Sequence, residues 1–79
     1  DDDLSWLMVV ALRVARILHR SREDEDLPTP VLFFKRRSLR LEMPRAWADR
    51  QPLAHASLVD EAALWNEARV FEQFAYQTI

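Results

Sequence analysis

Two clusters of cations are the residues of this sequence whose types and spacing could do chemistry: Arg13, Arg16, Arg20 and Arg22, then Lys35, Arg36 and Arg37. A guanidinium is a planar fork of N–H donors that matches phosphate or carboxylate oxygens, and several forks on one rigid face can hold a polyanion without breaking a bond. Spacings of three and four put Arg13, Arg16 and Arg20 on one stripe of a helix, shared with Asp2 and Val9. The competing reading is structural. The helix arginines would pair with acidic residues of a neighbouring helix or lay their stems along the surface, and cations at a hairpin tip would keep sheet edges from pairing.

Other chemistries lack their parts. His19 and His55 stand far apart with no ligand at metal spacing, and there is no cysteine to supply a thiolate or a disulfide. With no glycine, a glycine-rich phosphate loop cannot form. Ser21, Ser38 and Ser57 lack the strained elbow that exposes a nucleophile. The carboxylates of Glu23, Asp24, Glu25 and Asp26 form a run of like charge, better solvated than paired for acid–base work. No catalytic residue and no metal ligand is therefore expected within the chain. A net charge of −2 gives no global pull on nucleic acid, and no aromatic platform accompanies Lys35 to Arg40. Trp6, Trp47 and Trp65 read as packing residues.

The element that carries the arginine stripe is apolar on almost every side. From Leu4 to Leu18 only Ser5, Arg13 and Arg16 interrupt the apolar residues, whereas a surface helix of a globular protein shows one apolar stripe. Asp1, Asp2 and Asp3 suit a helix N-terminus, and His19, Arg20 and Arg22 suit its end. The run is too short and too charged for a membrane span, which needs about 20 apolar residues. Three aspartates before it do not resemble a secretory signal, so a cytoplasmic setting is expected. Such a helix needs other helices around it. Because 79 residues make one small domain at most, the expectation is a fragment, or one protomer of a larger assembly.

The rest of the chain divides at a linker, residues 23–30, where a charge run is followed by Leu27-Pro28-Thr29-Pro30. Val31 to Lys35 and Ser38 to Met43 read as a hairpin with a basic tip at Arg36-Arg37, the second strand alternating Leu39, Leu41 and Met43 against Ser38, Arg40 and Glu42. Pro44 opens a short helix, Arg45 to Gln51, which Pro52 is expected to close. A second helix is expected from about Ala56 to Arg69, with Leu58, Ala62 and Trp65 inward and Asp60, Glu61, Asn66 and Glu67 in water. Val70 to Ile79 reads as a last strand pairing with the hairpin. The expected fold is α+β: one long apolar helix over residues 1–22, then over residues 31–79 a small ββααβ unit whose antiparallel or mixed sheet is covered by helices.

Several features taken together resemble the C-terminal segment of the exopolyphosphatase and guanosine pentaphosphate phosphatase family, Ppx/GppA. They are a helix of the form LRxAxxLxxxR (Leu12, Arg13, Ala15, Leu18, Arg22), and a strand ending LxLxxP with a tryptophan three residues on (Leu39, Leu41, Pro44, Trp47). Pro52-Leu53 follows, then a helix with Leu58 and Glu61-Ala62. The likeness runs in order along nearly the whole chain. It departs at Gln51, where many relatives have histidine, and at Ala68-Arg69, where the family often turns with glycine. The resemblance implies that the first helix is the last of an HD-like helical domain. It also implies that a preceding actin-like domain hydrolyses polyphosphate or pppGpp with Mg2+, and that this segment is not catalytic alone. Implied partners are the rest of the phosphatase polypeptide and a second protomer in a homodimer, with the two arginine clusters along a polyanion path. A stand-alone interaction module using the apolar helix is the alternative.

Overall fold

A computed structural model of the chain describes residues 2–20 and 29–79; Asp1 and the linker residues 21–28, Arg22 among them, lie outside the described residues. Six elements follow in order: α1 (Asp2–Arg20), β1 (Val31–Lys35), β2 (Ser38–Met43), α2 (Arg45–Arg50), α3 (Pro52–Ala68) and β3 (Gln73–Thr78). The fold is α+β, built on a three-stranded mixed sheet in the order β1-β2-β3, antiparallel between β1 and β2 and parallel between β2 and β3.

The central strand organises the core. Leu39, Leu41 and Met43 are fully buried, and the register sets Leu39 between Phe34 and Phe74 and Leu41 between Leu32 and Tyr76. Opposed residues share a face, so these side chains form the face that the helices cover. The other face carries Phe33, Arg40 and Ala75 in one row and Val31, Glu42 and Gln77 in the next. There the Arg40 guanidinium lies 4.4 Å from the centre of the Phe33 ring.

The hairpin turn is made without glycine. Arg36 and Arg37 both take positive φ, 52° and 63°, the pattern of a two-residue turn that usually selects Asn-Gly. A left-handed conformation costs about 1–2 kcal/mol for an ordinary residue. Around Arg37 that cost is offset by contacts. Its guanidinium donates to Asp3 at 2.7 Å and to the Val70 carbonyl, and its carbonyl accepts from the Glu72 N–H at 2.7 Å.

The helices depart from expectation in one respect. Pro52 does not close the short helix and start a connection; it opens α3, four residues before the expected start. Proline is favoured in a first turn because its missing N–H would be unpaired there in any case. At the far end Arg69 is left-handed, φ 58°, and its N–H donates to the Trp65 carbonyl at 3.1 Å. The last strand is shorter than expected, because residues 70–72 bend to send Phe71 into the core between Phe34 at 6.0 Å and Trp65 at 5.8 Å.

α1 shares this core and has three different faces. Val10, Val14, Ile17 and Leu18 are buried, in one hydrophobic cluster with β2, α2, α3 and β3. A second stripe, Arg13, Arg16 and Arg20, borders α3. The third is apolar and bare: Leu4, Met8 and Leu12 are 60%, 59% and 69% exposed, with exposed Ala11 and Ala15 between them. Among the described residues, one apolar side of α1 is covered and the other is open. No helix among the described residues is long and apolar enough to cross a membrane.

Candidate functional site between the first and third helices

α1 and α3 run antiparallel, Trp6 meeting Trp65 edge to face at 5.7 Å while Arg13 meets Glu61 one helical stretch further on. Between them lies an open groove of about 340 Å3, lined by Arg13, Arg16, Ile17, Arg20, Ser57, Asp60 and Glu61.

Its fixed part is a charge pair with an aromatic support. Arg13 donates from Nη2 to Glu61 Oε1 at 2.6 Å and from Nε to Oε2 at 2.9 Å, while the Trp65 indole N–H donates to the same Oε2 at 3.0 Å. Glu61 is buried although Arg13 is half exposed. A carboxylate out of water needs such partners to stay charged. The hydrogen bond from Arg13 holds the Glu61 carboxyl below its ordinary range against the upward push of burial, with Trp65 helping. Glu61 was expected in water. Its burial follows from its place on the Leu58, Ala62, Trp65 side of α3, a spacing that the sequence already displays.

The six described cations do not converge. Arg13 is engaged by Glu61; Arg16 and Arg20 stand exposed in the same groove with Asp60 opposite. Ser57 also lines it, its hydroxyl donating to the Leu53 carbonyl at 3.1 Å. Arg37 is bound to Asp3 in the first turn of α1, which is about 20 Å from Arg16 along the helix. Lys35 and Arg36 are exposed at the hairpin end, and Arg22 lies outside the described residues. Arg16 and Arg20 together could contact one phosphate-sized anion. A channel for a long polyanion would need further cations from beyond the described residues.

Two polar contacts had no separate signal in the sequence. His55 Nδ1 lies 2.7 Å from the Tyr76 hydroxyl, and burial pushes that phenol up to about 12. The Asn66 side chain bonds both backbone groups of Phe74, its amide donating to the carbonyl at 2.7 Å and its oxygen accepting from the N–H at 2.8 Å. Asn66 was expected to face water, and a carboxamide that reaches a strand eight residues on cannot be read from helical periodicity. Among the described residues no group of three or more His, Asp or Glu is placed to hold a metal ion, and Asp60 among arginines is a poor start for a magnesium site.

No protein-family model, no curated protein and no solved structure matches this chain.

Proposed function

We propose that this chain is an association unit without catalytic chemistry of its own, serving as the C-terminal portion of a phosphatase that hydrolyses inorganic polyphosphate or pppGpp. The observation that carries the reading is the bare stripe Leu4, Met8 and Leu12 on a helix whose opposite side is already packed. Contiguous exposed apolar surface of this kind marks a site for another protein surface. In this reading α1 ends an HD-like helical domain, whose other helices cover the stripe, and the ββααβ unit follows it.

The phosphatase part rests on the resemblance to Ppx/GppA segments. One local feature fits it: Arg69 is left-handed at the turn where that family often has glycine. Arg16 and Arg20 would then contribute anion contacts, Mg2+ and the reacting groups coming from the rest of the polypeptide. The test is hydrolysis of polyphosphate and of pppGpp, with Mg2+, by this chain and by the complete product of its gene. Activity confined to the complete product supports the reading, and a complete product inactive on both substrates contradicts it.

The second reading, a stand-alone module, is favoured by the spacing of Leu4, Met8, Ala11, Leu12 and Ala15, in which two small residues would let a second helix approach closely. It predicts an isolated chain that dimerises through α1 and loses the dimer on Met8→Glu.

A further inference from the structure

The two edges of the sheet are treated differently. On β3, Asn66 occupies both the N–H and the carbonyl of Phe74, so α3 blocks that edge at Phe74. On β1 the ladder alternates from the turn outward. Lys35 pairs with Ser38, Phe33 with Arg40 and Val31 with Glu42, so Leu32 and Phe34 aim their N–H and C=O groups away from β2. Among the described residues no side chain closes those groups.

Edge strands are normally protected by charge, proline or a bulge. β1 has none of these within it except Lys35 at its end, and Val31, Leu32 and Phe33 are 37%, 41% and 45% exposed.

We propose that the free edge of β1 pairs with β1 of a second copy of this chain, antiparallel, with Phe33 opposite Phe33 on the twofold axis. This rests on the reading of the chain as an association unit and names the partner of one of its surfaces. The strand is complementary to itself in this register. Leu32 of each copy faces Phe34 of the other, so the four outward N–H and C=O groups of each strand meet their counterparts in four hydrogen bonds. Both residues lie on the helix side, and the two Phe33 rings meet on the open side, each next to its own Arg40. Charge agrees as well. Lys35 falls opposite Val31 of the second copy, in the same row as that copy's Glu42, rather than against a second Lys35 as a parallel pairing would require.

The chain has no cysteine, so one introduced thiol reports one contact. Directly opposed residues in such a pair, when not hydrogen-bonded to each other, have Cα atoms about 4.5 Å apart, within reach of a disulfide. Val31 would lie about 14 Å from its own copy. Under mild oxidation Phe33→Cys is expected to give a disulfide dimer as the main species. Val31→Cys alone should stay monomeric, and an equimolar mixture of Val31→Cys and Lys35→Cys should give the mixed dimer. Val31→Cys coupling as fast as Phe33→Cys overturns the register. No coupling of Phe33→Cys, with the far-ultraviolet dichroism of the wild type retained, overturns the edge pairing. If the wild-type chain still sediments as a dimer in that case, the association reading survives without it.

Discussion

α1 and α3 lie side by side in one core, yet they are different kinds of helix. α3 makes specific polar contacts: Glu61 to Arg13, Trp65 to Glu61, His55 to Tyr76 and Asn66 to Phe74. α1 contributes apolar area, and beyond Val10, Val14, Ile17 and Leu18 it has a further apolar stripe that is largely exposed among the described residues. One helix fixes how this small fold packs. The other has surface to offer to something else. If that division is right, substitutions on α3 should be costly to folding, and substitutions on the outer stripe of α1 should be nearly silent in the isolated chain.

The largest effect is expected at Trp65, which packs on Trp6 and Phe71 and holds Glu61. Trp65→Ala should cost about 3–5 kcal/mol in urea unfolding, as for other large buried aromatics.

Next is Arg13→Ala, expected to cost about 1.5–3 kcal/mol at neutral pH, the range for hydrogen bonds to a charged group. Its pH dependence is diagnostic. The Glu61 carboxyl is lowered in the folded state from an ordinary 4.5. It therefore adds stability above about pH 4.5 that is lost as pH falls through its lowered value. Without Arg13, burial is the dominant influence and raises Glu61, so this acid loss should disappear and stability should instead improve as pH drops toward 4.5. A variant with the acid profile of the wild type would show that the pair does not set it.

Asn66→Ala should cost about 1–2 kcal/mol, since it leaves two backbone groups of a largely buried residue without partners. It should also speed amide exchange at Phe74 while leaving Leu39 and Leu41 protected. At the bottom of the scale, Leu12→Glu on the bare stripe should change the stability of the isolated chain by no more than about 0.5 kcal/mol. A loss of several kcal/mol there would mean that the stripe is packed within the chain after all, and the contrast between the helices would collapse.

The parts of this structure legible from sequence were those written in local periodicity. The alternation of Leu39, Leu41 and Met43 marked the inner face of β2, and the cation spacing marked one stripe of α1. Pro52 is ambiguous in the sequence because the same residue can end one helix or begin the next, and only the packing of Ala54 and Leu58 decides for the second. The charge of Glu61 argues for water, whereas its position three residues after Leu58 and four before Trp65 argues for the buried place it takes. For the helix arginines, sequence favours pairing or a surface-lying stem over anion contact, and for the hairpin cations it favours protection of the sheet edge, but it names no partner for either. Arg13 and Arg37 are engaged by Glu61 and Asp3, partners 48 and 34 residues away, which no local pattern could reveal.

The two methionines give the most direct test of the claim that α1 keeps a surface for a partner, because Met8 is 59% exposed and Met43 is fully buried. Treatment with dilute peroxide, followed by mass spectrometry of the two peptides, should oxidise Met8 and spare Met43 in the isolated chain. Under the proposed phosphatase reading, Met8 in the longer polypeptide should become as slow to oxidise as Met43. Met8 oxidising equally fast in both would contradict the account.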